Sequence, residues 1–336
     1  MKVRIVILAT AGVTAAIFAV SLYTVYGGSI SCCIASREAD NNHKDKGTVY
    51  VLYAGSLVNT MEKSIGPAFQ DVTGYAYQGE GHGSLEDAQM MINDVRSPDV
   101  FIGVGKDAMQ LLANHSPPRA TWWLSFASDQ LVIAYNEKSP FAKQLDVASK
   151  NQTAWYRVLE QPGFKLGFSD PKLDPKGVYA VLLFKLASLY YKDASLSQYL
   201  NSTHASMFAE EAMSAELQAG AIDAIIAYKH EAMEQHLSYV SLPSRINFGS
   251  LSDLQYYSQV SIIDLSVKRK TLGAPVTFAV TIPDTSKNRD GALAFVKFIL
   301  NDAHAQSLIK EHGFSPIRPP VIGGNVSAIP QLFDDH

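Results

Sequence analysis

The 336-residue sequence has only two cysteines, Cys32 and Cys33, and they are adjacent. Neighbouring cysteines cannot staple distant parts of a fold, so a disulfide framework and a cysteine zinc site are both excluded. Charge is scarce as well: 18% of residues are Asp, Glu, Lys or Arg, and the formal net charge is −4. That balance carries no basic footprint for nucleic acid. An anion site on such a chain has to be local, built from dipoles and hydroxyls. Residues 48–336 also lack internal repeats and long low-complexity tracts.

Long uncharged runs are absent except for one. Lys2 and Arg4 precede a stretch from Ile5 to Tyr26 that is rich in Ala, Ile and Val. A run of that length can span a bilayer, with its basic end held on the cytoplasmic side. Residues 1–26 are therefore expected to be a signal segment or a transmembrane anchor. Residues 27–47 are polar and poor in large apolar side chains, which fits a flexible tether. Ile30-Ser31-Cys32-Cys33 is weakly lipobox-like and leaves lipid attachment open. The remainder would face the outside of the cell. Triplets beginning at Asn114, Asn151, Asn201 and Asn325 are compatible with that placement.

From Thr48 onward, strand and helix patterns alternate. Residues 48–53 read as a buried strand, Ala54-Gly55-Ser56 breaks it, and residues 57–73 are helical. Gly81-His-Gly-Ser84 is a second glycine turn, followed by a helix over 85–95. Strands follow at 99–103 and 130–135. A second block over 129–250 holds strands at 165–169 and 222–228 and a strong helix at 179–191. A strand at 276–282 and helices at 288–300 and 303–312 complete the chain. Residues 255–270 give no clear pattern, and a strand crossing between blocks is one reading. This rhythm predicts an α/β fold with mostly parallel sheets covered by helices.

In such sheets ligands sit beyond the carboxyl ends of strands, where both Gly-Ser turns fall. A strand that ends in Gly55-Ser56 and turns into a helix leaves N–H groups and a hydroxyl free, which suits a small anion. An ordinary turn with Ser56 as a helix cap has the same sequence. Tyr228, closing a strand of the second block, adds a hydroxyl to the cleft or is a core tyrosine.

Enzyme readings lack their motifs. Ser84 sits in Gly-His-Gly-Ser-Leu without the trailing glycine of a nucleophile elbow. An exported serine hydrolase using Ser84 with His82 is thus a distant alternative. His230 and His236 are six residues apart, not the i, i+4 spacing of a helical zinc site. Gly103-Val-Gly-Lys-Asp107 has an acid where a P-loop places Ser or Thr on magnesium, and Gly79-Glu-Gly-His-Gly-Ser84 matches a dinucleotide turn only loosely. No enzymatic activity and no cofactor are expected.

Several stretches together carry a resemblance. They are Tyr53-Ala-Gly-Ser-Leu57, Gly81-His-Gly-Ser84, Ser97-Pro-Asp-Val-Phe101, Asp174-Pro-Lys-Gly177, Ala219-Gly-Ala-Ile-Asp-Ala-Ile-Ile-Ala-Tyr-Lys229 and Gly273-Ala-Pro-Val-Thr-Phe278. In this order they resemble the extracytoplasmic solute-binding proteins of ABC importers, within them the archaeal-type molybdate/tungstate-binding family. The resemblance spans nearly all of 48–336. It implies a two-lobed, type II periplasmic-binding-protein-like clamp, with lobe 1 over 48–128 plus 275–336, lobe 2 over 129–274, and the ligand in the cleft. It further implies a receptor that captures molybdate or tungstate and hands it to a permease with its ATPase.

In the family pattern the early serines, here Ser56 and Ser84, donate to the anion. The Asp of the Asp-Pro-x-Gly turn is here Asp174, and a Glu eighteen positions before the late-strand Tyr228 is here Glu210. The resemblance implies that these two carboxylates complete a six-coordinate centre around molybdenum or tungsten. Carboxylates repel a dianion unless its central atom takes their oxygens as ligands. Molybdenum and tungsten are large enough to do so and sulfur is not, so such a site rejects sulfate. The chain departs from the pattern in three places. The segment from Asp174 to Tyr228 is short, which leaves Glu211 as a substitute for Glu210. Gly177-Val-Tyr179 stands where members have Gly-Tyr-Arg, and Ala227 where a Glu precedes the Tyr. On their own, Asp174 also reads as a turn residue before Pro175 and Glu210 as an acid at a helix N-terminus. Phosphate or sulfate is the alternative ligand, and a sensor role the alternative use of the same site.

Overall fold

The computed structural model describes residues 46–151, 155–264 and 269–329. The expected anchor over 1–26, nearly all of the tether and Cys32 and Cys33 lie outside them. Among the described residues no helix is long and apolar enough to cross a membrane.

The strands are β1 (Thr48–Ala54), β2 (Ala76–His82), β3 (Val100–Val104), β4 (Trp122–Asp129), β5 (Leu131–Tyr135), β6 (Leu166–Ser169) and β7 (Ala205–Phe208). They continue with β8 (Ala224–Tyr228), β9 (Ser238–Ser241), β10 (Ser261–Asp264), β11 (Arg269–Leu272), β12 (Val276–Thr281) and β13 (Ser315–Gly324). One sheet has six strands in the order β13-β4-β12-β3-β1-β2, another five in the order β7-β6-β8-β5-β9. Val49, Val51 and Leu52 of β1 are fully buried. Helices cover both faces of this strand, which is why its apolar run shows no alternation.

Both sheets are mixed. β1 runs parallel to β2 and β3, and β6 runs parallel to β7 and β8. β12 is antiparallel to β3 and β4, β13 to β4, and β5 to β8 and β9. The expected parallel arrangement thus holds on one side of each sheet only. Strands joined by a helical crossover come back parallel, whereas β5 and β12 are laid down as the chain changes sheet and need no such crossover. The outward crossing is very short: β4 ends at Asp129 and β5 begins at Leu131, with Gln130 between them. The return runs from β11 to β12 through residues 273–275. Residues 255–270 are no single crossing strand. They hold the end of the helix Leu254–Tyr257 and the hairpin of β10 and β11, which pairs only with itself.

Two helices position the site. Helical structure from Gly55 to Thr73 starts in the tight turn Gly55–Leu57 and passes through the wider π turn Met61–Ile65. The helix Pro175–Tyr191 buries Val178, Ala180, Leu182, Leu183, Phe184, Leu186 and Ala187, so it is apolar nearly all round and lies in the core of the second half. Its start is fixed by the Asp174 side chain, which accepts from the Lys176 N–H at 2.9 Å, and by Pro175 at the first helical position.

Candidate anion-binding site

A cavity of about 250 Å³ opens beyond the carboxyl ends of β1 and β2. Gly55, Ser56, Gly81 and His82 line it from the first sheet; Glu210, Ser214 and Glu231 line it from the second. The two halves meet closely here. A Cβ on Gly55 would lie 3.1 Å from Glu210 Oε2, and a Cβ on Gly83 would lie 2.6 Å from the Leu173 carbonyl oxygen, just before Asp174. The glycines of both turns are thus explained by close approach across the cleft. Ser84, Asp174 and Tyr228 are not on the cavity wall; they are sealed behind it, 1%, 5% and 0% exposed.

Among the described residues, the Ser56 and Tyr228 hydroxyls are buried without a protein partner, while Asp174 Oδ2 and Ser169 Oγ have only each other to meet. Buried hydroxyls and carboxyls are nearly always hydrogen-bonded, so polar atoms left over in one neighbourhood mark a place built to bond something else. Ser84 differs. Its Oγ accepts from the Val104 N–H at 3.0 Å, which leaves the hydroxyl proton to donate elsewhere.

Lys176 stands at the centre of the charged groups. It is 2% exposed, and its Nζ donates to Glu210 Oε1 at 2.9 Å and to Glu231 Oε1 at 2.6 Å. The ammonium also lies 5.4 Å from the centre of the Tyr228 ring. Glu231 holds the tyrosine too, since its Oε2 accepts from the Tyr228 N–H at 2.9 Å at the start of the helix Lys229–Glu234. Burial drives the Asp174 carboxyl above the usual carboxylate range, opposed by the Lys176 charge. Burial and then the Asp174 charge raise Glu210 in the same way. Burial alone would neutralise Lys176, but Glu210 and Glu231 more than offset it and hold the ammonium charged. Glu210, expected as a carboxylate ligand to the metal of the anion, stands on the cavity wall with its Oε1 held by Lys176. The side chain of Glu211 lies outside the described residues.

Contacts across the cleft surround the cavity. His230 Nε2 is 2.9 Å from the Ser56 carbonyl oxygen, and His230 Nδ1 is 2.6 Å from Asp129 Oδ2. Thr60 Oγ1 donates to Glu234 Oε1 at 2.6 Å, and the same oxygen is 2.6 Å from His312 Nδ1. His82 is engaged elsewhere: its Nε2 is 2.9 Å from Glu80 Oε1, a carboxylate that Arg96 also holds at 2.8 Å. His82 and Ser84 therefore form no nucleophile–base pair. Among the described residues no group of three or more His, Cys, Asp or Glu could hold a metal ion.

Lys176, Glu231, Ser169 and His230 are the site residues that sequence reasoning missed. A signal existed for Lys176. A cation in the first turn of a helix opposes the macrodipole, and Lys176 occupies that turn directly after the Asp-Pro pair. Glu231 stands three residues after Tyr228, the spacing of a capping box.

Two mixed α/β sheets joined by short crossings, with hydroxyls and acids converging on a cleft between them, define a solute-binding clamp of the periplasmic-binding-protein type. A family model described as bacterial extracellular solute-binding protein matches residues 49–315, and the chain belongs to that family. An uncharacterized solute-binding protein of Petrotoga mobilis is 32% identical over 86% of this chain and 89% of its own length. The molybdate/tungstate-binding protein WtpA of Thermococcus kodakarensis is 28% identical over 92% of each chain. Among solved structures, the periplasmic molybdate-binding protein of Azotobacter vinelandii superposes with a TM-score of 0.52 at 16% identity, covering 80% of this chain and 98% of its own.

Proposed function

We propose that this protein is the receptor of an ABC importer for molybdate or tungstate. It captures the oxyanion outside the membrane, delivers it to a permease with its ATPase, and performs no chemistry on it. Residues 1–26 attach it to the membrane or direct its export. The observation that carries the reading is the set of buried hydroxyls on both sides of the cleft: Ser56 Oγ and Tyr228 Oη without protein partners, and Ser84 with a proton to give. A tetrahedral oxyanion in a dry cleft needs donors of this kind, arranged around it and fixed in advance. The Gly55 turn adds backbone N–H groups at the start of a helical stretch. The kinship with WtpA supports the choice of ligand.

Calorimetric titration with tungstate, molybdate, sulfate and phosphate tests it. Saturable heat with tungstate and molybdate is expected. No heat with either, alongside clear binding of sulfate or phosphate, would move the receptor to another oxyanion.

A further inference from the structure

Lys176 is an odd residue to find in the first turn of a helix. That end already concentrates positive charge, and basic side chains are favoured at the other. It is an odd residue to bury as well, because an ammonium leaves water only when its hydrogens find acceptors. Here it is 2% exposed and lies behind the cavity wall. Its backbone N–H donates to Asp174 Oδ1 at 2.9 Å, and its Nζ donates to Glu210 Oε1 at 2.9 Å. One residue thus holds a single oxygen of each of the two expected ligand carboxylates. Their other oxygens are left to different surroundings. Glu210 Oε2 faces the Gly55 turn, where a Cβ would lie 3.1 Å from it, and both residues line the cavity. Asp174 Oδ2 has only Ser169 Oγ to meet.

The lysine is itself fixed. Its Nζ also donates to Glu231 Oε1 at 2.6 Å, and Glu231 Oε2 accepts from the Tyr228 N–H at 2.9 Å. The run of bonds from Tyr228 through Glu231 and Lys176 to Glu210 is therefore anchored on backbone. Glu210 gains from such an anchor. It is the first residue of the helix Glu210–Ala219, and a glutamate side chain left free keeps much of its rotamer entropy until a ligand orders it.

We propose that Lys176 is a positioning residue for the bound oxyanion: without lining the cavity itself, it holds Glu210 by Oε1 so that Oε2 is presented to the anion's central atom. This rests on the oxyanion reading of the site. A carboxylate beside a dianion is repelled unless the central atom takes its oxygen as a ligand. The free oxygen must then already point at that atom, and a hydrogen bond to the other oxygen is the usual way to aim a ligating carboxylate. The ammonium also offsets part of the charge that Glu210 and Glu231 bring to the cavity wall, which eases the entry of a dianion.

A crystal structure of the tungstate-loaded wild-type protein is the direct test. Glu210 Oε2 is expected on tungsten, with Oε1 still on Lys176 Nζ. A Glu210 carboxylate that has left Lys176, or one that stays clear of tungsten, overturns the proposal. Titration and tungsten-edge X-ray absorption of Lys176→Met and Lys176→Arg form the second arm, with a thermal melt of each to check folding. Lys176→Met is expected to bind tungstate about 10–100-fold more weakly and to lose one of the longer tungsten–oxygen distances. Lys176→Arg, which keeps a charged donor for Oε1, should recover part of both. A folded Lys176→Met protein whose spectrum matches the wild type overturns the proposal, whatever its affinity, because a merely structural lysine leaves the metal's neighbours unchanged. If Lys176→Met does not fold, the wild-type crystal structure decides. Wild-type protein that gives no heat with any oxyanion removes the receptor reading itself; wild-type protein that binds tungstate without Glu210 removes only this one.

Discussion

The imidazole of His230 reaches from the second half of the molecule to the Ser56 carbonyl, with Nε2 2.9 Å from the oxygen. Its other nitrogen is 2.6 Å from Asp129 Oδ2. A carbonyl and a carboxylate are both acceptors, so both ring nitrogens carry hydrogen and the buried ring is an imidazolium. Burial pulls its pKa down, but the hydrogen bond and charge of Asp129 more than reverse this and leave it above 6.5.

The folded chain therefore binds this proton more tightly than the unfolded chain does. The stabilisation is complete below about pH 6.5 and fades as pH climbs through the raised value. Thermal midpoints measured from pH 6 upward should fall, and His230→Gln should lower the midpoint at pH 6 and flatten its dependence on pH. An unchanged slope in the variant would assign the proton to another group.

Ser56 and Ser84 should respond in opposite ways to loss of the hydroxyl. Ser56 Oγ is buried without a partner, so Ser56→Ala should leave the melting temperature unchanged or higher. Ser84→Ala strands the buried Val104 N–H and should destabilise by about 1–3 kcal/mol. Each substitution should weaken tungstate binding by about 1–2 kcal/mol. Paired calorimetry and melting curves separate the two effects.

Gly83→Ala tests the approach of the halves. Gly83 has φ −60° and ψ 130°, which alanine adopts freely, so the first half should fold normally. The new methyl would meet the Leu173 carbonyl at 2.6 Å, a backbone atom that cannot rotate away. Closure should be disfavoured by about 1–3 kcal/mol. Small-angle scattering should show a larger radius of gyration, and titration a weaker tungstate complex. Unaltered scattering and affinity would mean the cleft tolerates the methyl.

Glu231 joins two roles, a partner to the Lys176 ammonium and a cap on the Tyr228 N–H. Glu231→Ala removes half of a buried pair and should cost about 3–5 kcal/mol in a urea titration. Glu231→Gln, which keeps the capping acceptor, should cost less.

The site was partly readable in the sequence because some of its parts are local. A strand, a glycine turn and a helix start fit within Thr48–Leu57, and the order of such units pointed to the α/β class. Lys176 and Glu231 were not readable as a pair, because 55 residues separate them and nothing near either names the other. His230 and Asp129 are 101 residues apart, and His230 drew notice only as a poor zinc ligand. Among strands, β13 was missed for a different reason. Its Ser-Pro-Ile-Arg-Pro-Pro-Val-Ile-Gly-Gly sequence is full of turn residues, tolerated because β13 is the edge of its sheet and its register with β4 slips between Pro316 and Val321.

The contacts from His230 to the Ser56 carbonyl and from Glu234 to Thr60 and His312 are made by protein atoms alone. They favour the closed clamp whatever lies inside it. A closed form that is already well populated raises apparent affinity without any new bond to the ligand, and it also slows escape. Contacts made away from the solute thus share control of two opposed demands on a solute-binding protein: how dilute a solution it can draw on, and how readily it lets go.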